Sequence, residues 1–262
     1  MPTTSSSVYR LTDQVAQFHL RFPIDSDDLD QDQEWCEVRT EGEREWTRVR
    51  FHDYHEVYRV PGLYEALFYQ CLKCCSPYRV VQLLDDVLRD DPRSVEDLRV
   101  LDLGAGNGMV GQELRNIGVQ RIIGADIIPE ALEATFRDRP GVYDDYVIAD
   151  MTDFEEEARQ RISDAEPNCL TTVAALGYGD VPAEAFIAAY NLIETPGWLA
   201  FNIKQDFLDD VEDDTGFAGL IRKLMRKRYI EVHAYRRYCH RLSIHGEPLF
   251  YVAMVARKLK SI

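Results

Sequence analysis

The sequence predicts an α/β fold in which a parallel, doubly wound sheet ends in an antiparallel hairpin. Three observations support this. From Asp97 onward, short apolar runs alternate with segments of helical periodicity. A glycine-rich turn, "LGAGNG", joins the first of these runs to the first helical segment. The last two extended stretches are joined only by "SIHGE", which is too short for a crossover, so they should pair as a hairpin.

The first 60 residues differ from the rest in composition and in the pattern of their apolar residues. We therefore predict an N-terminal extension over 1–60 and the main domain over 61–262. The extension begins with no basic, apolar leader and contains an acidic run, "IDSDDLDQDQE". Two short strands should follow around a turn at residues 41–43, because Trp35, Val38, Trp46 and Val49 supply apolar positions. Whether this extension forms a lid or a dimer arm stays open. Pro61 and Pro77 mark the starts of two helical segments.

The main domain is predicted as five strands that alternate with helices, followed by the hairpin. The five strands are "LRVLDLG", "QRIIGADI", "DYVIAD", "CLTTVAAL" and "GWLAFNIK". The helices between and after them are residues 109–117, "PEALEATFRD", "FEEEARQRI", "PAEAFIAAYNLIE" and "FAGLIRKLMRKR". The hairpin strands are "YIEVHAYRRYCHRL" and "PLFYVAMVARKL".

Composition indicates a cytoplasmic globular protein without a membrane span, since no apolar run approaches the roughly 18 residues that a span needs. Six cysteines in 262 residues fit reduced thiols better than a disulfide framework. The net charge of −16 argues against nucleic-acid binding by the whole chain. That charge is uneven, because residues 215–262 carry +9 and residues 1–214 carry −25. The basic segment therefore either neutralises the acidic remainder or forms a patch for an anionic partner.

The glycine turn predicts a ligand that approaches the backbone closely. The acidic residues around the turn indicate which class of ligand this is. Glycine spacing here fits a dinucleotide turn poorly. Asp102, two residues before Gly104, should point into the cleft, where it would repel a pyrophosphate but suit an amino group, directly or through a water. Asp126 and Asp150 end the next two strands, where they could bond ribose hydroxyls and an adenine amino group, with Ile127 and Met151 beside the ring. S-adenosyl-L-methionine has this chemistry.

In "VLDLGAGNG", "GADIIPEAL", "VIADM" and the final hairpin, residues 97–259 resemble the class I S-adenosylmethionine-dependent methyltransferases. The resemblance implies a Rossmann-like, doubly wound seven-stranded sheet with the last strand antiparallel. It implies cofactor contacts at Gly104, Ala105 and Gly106 as well as at the two later acids. The stretch "HDYHEVYRVPGLYE" looks like a tyrosine-bearing helix that folds over the cofactor, with Tyr54, Tyr58 and Tyr64 as candidate contacts.

The expected reaction is in-line methyl transfer to a small-molecule acceptor, which needs positioning and, for some acceptors, a general base. Tyr178 and His55 are the leading catalytic candidates, and the other possible bases are His52, Asp180, His240 and His245. Cys71, Cys74 and Cys75 share a helical face without a second ligand cluster, so no metal is predicted. An RNA methyltransferase using the basic C-terminal region and a non-catalytic partner subunit are the alternatives. A homodimer is a candidate assembly.

Overall fold

The protein is described by a computed structural model over residues 18–23, 29–91, 94–177, 179–206 and 216–262. Tyr178 and part of the acidic run, residues 24–28, lie outside this range. Two sheets are present in the described chain, one of three strands and one of seven. None of the described helices is long and apolar enough to cross a membrane.

The seven-stranded sheet has the predicted Rossmann-like order, with the last strand antiparallel. Its strands are β4 (Arg99–Leu103), β5 (Arg121–Asp126), β6 (Asp145–Ile148), β7 (Cys169–Thr172), β8 (Gly197–Lys204), β9 (Ile230–Leu242) and β10 (Pro248–Lys258). They lie in the order β6-β5-β4-β7-β8-β10-β9. Strands β4 to β8 are parallel, and β10 is antiparallel to both β8 and β9. The order in which successive strands are added to the sheet changes direction between β4 and β7. In sheets of this kind a crevice forms at that point, outside the carboxyl ends of the strands.

Helices cover both faces of this sheet, as its continuous apolar strands require. They are α2 (Ser76–Leu88), α3 (Met109–Asn116), α4 (Pro129–Asp138), α5 (Glu156–Asp164), α6 (Ala183–Leu192) and α7 (Phe217–Arg226). One core cluster joins the sheet to α6 and α7 through Phe186, Phe201 and Phe217. The other joins it to α2 and α3 through Leu84 and Leu114.

The N-terminal sheet contains one strand more than the sequence analysis predicted. Strands β2 (Trp35–Thr40) and β3 (Thr47–Arg50) form the expected pair, and β1 (Phe18–Arg21) adds to the other edge of β2. Two short helices follow, α1 (Tyr54–Arg59) and a π-helix (Glu65–Cys71). Their apolar residues pack with those of the sheet in one cluster that runs from Phe18 to Leu72. This cluster therefore crosses residue 60, where we predict the domain boundary.

Candidate functional site

A cavity of about 250 Å³ lies at the carboxyl ends of the central strands. One wall is the glycine loop after β4, where Gly104 and Gly106 have φ of +72° and +53°. A side chain at Gly104 would begin 2.9 Å from the Ala175 Cβ, and one at Gly106 would begin 2.5 Å from the Tyr58 hydroxyl. Glycine is required here both by the left-handed backbone and by close packing. The loop thus presents bare backbone to the cavity.

Two of the predicted acids line this cavity, and they differ in environment. Asp126, at the end of β5, accepts hydrogen bonds from the Gly106 amide (2.9 Å) and the Ile128 amide (3.0 Å). Burial raises the pKa of Asp126, and these amides offset part of the rise. Asp150 is exposed, and the side-chain hydroxyl and amide of Thr152 lower its pKa by donating to it. Both carboxylates can accept further hydrogen bonds from a ligand.

The apolar residues predicted beside the adenine ring also lie on the cavity wall. Ile127 is 55% exposed and forms part of the rim, whereas Met151 is buried behind it. Ala105 and both glycines of the loop line the same space. The predicted cofactor contacts are therefore brought together, with one exception.

That exception is Asp102, which does not point into the cavity as we expected. Its side chain is fully buried, and its oxygens accept hydrogen bonds from the Tyr143 hydroxyl (2.6 Å) and the Thr171 hydroxyl (2.7 Å). Burial raises the pKa of Asp102 to about 7. Asp102 supports the glycine loop from behind, since Tyr143 also lies 3.3 Å from the Ala105 carbonyl. The expectation that the Asp102 carboxylate points into the cleft is corrected.

Among the residues that line the cavity, the loop also carries a buried polar side chain. Asn107 is 1% exposed, and its amide nitrogen donates to Glu65 (2.6 Å) and Asp138 (3.1 Å). The two carboxylates fix the orientation of the amide, because only its nitrogen can donate to them. The side-chain oxygen of Asn107, Oδ1, has no hydrogen-bond partner among the described residues. A buried acceptor without a partner costs free energy unless a ligand satisfies it.

A second wall of the cavity is built from tyrosines of the N-terminal segment. Tyr54, Tyr58, Tyr64 and Tyr69 line the cavity, with adjacent ring centroids 5.1 to 6.1 Å apart. Burial raises the pKa of each phenol well above its usual range, so all four are neutral hydrogen-bond donors.

Helix α1, which carries two of these tyrosines, is fastened over the cavity by arginine contacts. Arg59 of α1 pairs with Glu130 of α4 at 2.8 Å, and Arg137 of α4 donates to the Tyr58 carbonyl at 3.0 Å. The cavity is therefore partly roofed by residues that precede the main sheet.

Neither leading catalytic candidate is placed in the cavity by the described chain. His55 points outward from α1, where its side chain is 50% exposed and lies 3.4 Å from Glu56. Tyr178 lies outside the described residues. His240 is fully packed, with Nδ1 2.5 Å from the Ser76 hydroxyl, and His245 is exposed. The expectation for His55 is corrected.

His52 and Asp180 do meet at the cavity, although the sequence analysis proposed them only separately. The His52 Nδ1 lies 3.0 and 3.1 Å from the two carboxylate oxygens of Asp180. His52 follows β3, and Asp180 lies in the loop after β7, so 128 residues separate them. A smaller adjoining cavity is also lined by both side chains. No pattern in the sequence indicates this pairing.

The comparisons with known proteins decide the family. Residues 76–244, more than half of the chain, match the family model described as a methyltransferase domain. The chain belongs to this family. No curated protein sequence matches it. The class that the motifs resemble, the S-adenosylmethionine-dependent methyltransferases, is thereby confirmed.

Solved methyltransferases share the fold at low sequence identity. The S-adenosylmethionine-dependent methyltransferase of Anabaena variabilis aligns with a TM-score of 0.54 and 15% identity, over 80% of this chain and 96% of its own. A candidate RNA methyltransferase of Pyrococcus horikoshii aligns with a TM-score of 0.50 and 15% identity, over 70% and 84%. S-adenosyl-L-methionine is the cofactor of this class of methyltransferase, as the resemblance implies.

The cavity of this methyltransferase fits that cofactor in its chemistry. An adenosine with an ammonium group needs hydrogen-bond acceptors for its hydroxyl, amino and ammonium groups. It also needs surroundings with little positive charge. Asp126, Asp150 and the unpartnered Asn107 oxygen are such acceptors. Among the described residues that line the cavity there is no lysine or arginine. In the same part of the chain, no group of His, Cys, Asp or Glu could hold a metal ion.

Proposed function

We propose that this protein binds S-adenosyl-L-methionine and transfers its methyl group to a small-molecule acceptor. The observation that carries the proposal is that one cavity joins the glycine loop and its acids to the tyrosine wall and the His52–Asp180 pair. The first set of residues would hold the cofactor, and the second would hold the acceptor. The bound sulfonium supplies an electrophilic methyl group with a neutral thioether as leaving group.

Each cofactor contact follows from the chemistry of one side chain. Asp126 would accept from the ribose hydroxyls and Asp150 from the adenine amino group, with Ile127 and Met151 packing on the ring. The side-chain oxygen of Asn107, Oδ1, would accept from the ammonium group, the role first expected of Asp102. Tyr58, whose hydroxyl packs against Gly106, would donate that hydroxyl to the methionine part.

A small acceptor is favoured by the roof over the cavity and by its charge. Helix α1 and the tyrosines close one side, whereas a polymer substrate would need an open groove. Nucleic-acid affinity depends mainly on lysine and arginine contacts with phosphates, and none of the described cavity residues is of either type.

Binding of S-adenosylhomocysteine, measured by calorimetry and thermal shift, tests the cofactor assignment. We expect S-adenosylmethionine and S-adenosylhomocysteine to stabilise the protein, and NAD to leave it unchanged. Asp150→Asn should weaken binding of both compounds, because a neutral amide oxygen is a weaker hydrogen-bond acceptor than a carboxylate. Asp153→Asn is the matched control, since Asp153 is also exposed and lies in the same turn but does not line the cavity. Stabilisation by NAD alone would overturn the proposal.

An RNA substrate is the alternative, favoured by the exposed residues Lys223, Arg226 and Lys227 at the end of α7. Retention of RNA at moderate salt that is lost in Lys223→Gln/Arg226→Gln would support it over a small acceptor. Binding of the cofactor without methyl transfer to any compound class would instead favour a partner subunit.

A further inference from the structure

The contact between His52 and Asp180 joins the segment that follows β3 to the loop that follows β7. The His52 Nδ1 faces both oxygens of one carboxylate at hydrogen-bond distance. The side chains are only 16% and 19% exposed, and both line the cavity. The electrostatic interaction in this partly buried pair is stronger than in a surface salt bridge, because solvent screens it less.

This geometry sets the roles of the two imidazole nitrogens. With Nδ1 beside the carboxylate, the Nδ1 hydrogen is donated to Asp180, and Nε2 is the nitrogen that accepts a proton. The carboxylate also stabilises the imidazolium ion that forms when Nε2 is protonated. His52 therefore has the arrangement of a general base, and Asp180 has that of its positioning residue.

We infer that the acceptor is a neutral aromatic hydroxyl compound and that His52, oriented by Asp180, removes its proton during methyl transfer. This inference rests on the function proposed above. It adds the substrate class and the base, neither of which follows from the family.

The requirement for a base points to a hydroxyl group. A carboxylate acceptor is already ionised and a neutral amine already has its lone pair, so neither gains from a base at the moment of transfer. A phenolic hydroxyl is mostly protonated near neutral pH and becomes a strong nucleophile only as its proton leaves.

The walls around the pair favour a neutral aromatic body. The rings of Tyr54, Tyr64 and Tyr69 offer faces and edges for another ring, and Pro77 and Val173 add apolar surface. Asp126 and Asp180 would repel a carboxylate or a phosphate, and none of the described lining residues is a lysine or arginine that could compensate. An anionic acceptor is therefore disfavoured by charge as well as by the lack of need for a base.

The step balances without any further reactant. The acceptor's O–H bond breaks and its proton passes to His52 Nε2. An oxygen lone pair forms the new O–CH3 bond while the methyl–sulfur bond of the sulfonium breaks, and its electron pair stays on sulfur as a neutral thioether. The positive charge that leaves the sulfonium ends on the imidazolium beside Asp180.

The first test uses matched probes on the protein saturated with cofactor. Phenol and naphthol, aniline and naphthylamine, and benzoic and naphthoic acid are offered as acceptors with S-adenosylmethionine, and methylated product is measured by mass spectrometry. We expect methyl transfer to the hydroxyl probes and at least 10-fold less to the others. If S-adenosylhomocysteine binds but no hydroxyl probe is methylated, or if amines or acids are preferred, the inference is overturned while the proposed function stands.

The second test separates catalysis from structure by means of a matched pair of histidines. His52→Gln should reduce methyl transfer to the best hydroxyl probe about 100-fold or more near neutral pH, the range expected for a lost general base. The loss should shrink as the pH approaches the acceptor's own ionisation, because an ionised hydroxyl needs no base. His55→Gln, three residues away and outside the cavity, should keep the parent rate. Both variants should bind S-adenosylhomocysteine as the parent does.

Asp180 is tested through its effect on the pH profile. Asp180→Asn should lower the rate and move the acidic limb of the profile, whereas Asp180→Glu should restore part of both. A pH-independent loss in His52→Gln, or equal losses in His52→Gln and His55→Gln, would show that His52 only supports the fold. Either result overturns the assignment of the base.

Discussion

Asp102→Asn should make this protein more stable above neutral pH, although it removes a hydrogen-bonded carboxylate from the core. In the native protein Asp102 is fully buried between the Tyr143 and Thr171 hydroxyls. An asparagine can keep both contacts. Its oxygen accepts from Thr171, and its nitrogen donates to Tyr143, which then donates to the Ala105 carbonyl 3.3 Å away. The substitution therefore removes a charge while the Tyr143 and Thr171 hydroxyls both keep a hydrogen-bond partner.

The size of the effect follows from the pKa of the buried acid. Burial raises the pKa of Asp102 from 3.8 to about 7, a rise of about three pH units. Below about pH 4 the acid is protonated in both states and costs nothing. Between about pH 4 and pH 7 only the unfolded state releases the proton, so the free energy of unfolding falls by about 1.4 kcal/mol per pH unit. Above pH 7 the accumulated loss is about 4 kcal/mol.

Urea unfolding of the parent and of Asp102→Asn, measured between about pH 5 and pH 8, isolates this contribution because all other groups cancel in the difference. The variant should gain on the parent by about 3 kcal/mol across this range, with most of the change below pH 7. Parallel stability curves would refute the reasoning, since they would mean that Asp102 ionises as easily in the folded protein as in the unfolded chain.

Two further substitutions test the loop and the attachment of the N-terminal sheet. Gly106→Ala should cost about 1–2 kcal/mol of backbone strain and displace the Tyr58 hydroxyl, so S-adenosylhomocysteine affinity measured by calorimetry should fall more than about 10-fold. Gly141→Ala, also at positive φ but with open space around it, should carry strain without loss of binding. Arg241→Met should lower the free energy of unfolding in urea by about 3–5 kcal/mol, because it leaves the buried Glu34 carboxylate without its ion-pair partner. Glu34→Gln/Arg241→Met should recover part of that loss, and equal stability of single and double variants would contradict the reasoning.

The main sheet could be predicted from sequence because its signals are local. Helix α4 and strand β8 begin and end at the predicted residues, Pro129–Asp138 and Gly197–Lys204, since proline, glycine and apolar periodicity mark each boundary. The strand β1 was not predicted. Its four residues, Phe18–Arg21, are too few for a clear alternation, and pairing with β2 is what makes them a strand.

The errors at the site have a common cause, which is that side-chain direction depends on distant residues. Asp102 lies in a strand that is buried from its second residue to its last, so alternation gives no indication of which side is the cavity. Its direction is set by Tyr143 and Thr171, 41 and 69 residues away. His52 and His55 have helical spacing and would share a face of one helix. Helix α1 begins only at residue 54, so the first turns inward and the second outward.

The N-terminal sheet contributes to the site because side-chain contacts attach it to the final hairpin of the main sheet. Glu34, just before β2, pairs with Arg241 at the end of β9 in a fully buried contact and accepts the Ile244 amide at 2.7 Å. Gln31 donates to the Tyr251 hydroxyl of β10 at 2.8 Å. These contacts fix the small sheet to the end of the hairpin, and the chain that leaves it delivers His52 to the cavity two residues after β3. Part of the basic tail thus serves to hold the acidic extension in place. Loosening that attachment should lower the rate of methyl transfer to the acceptor before it weakens cofactor binding. The reason is that Asp126 and Asp150 belong to the main sheet and its loops.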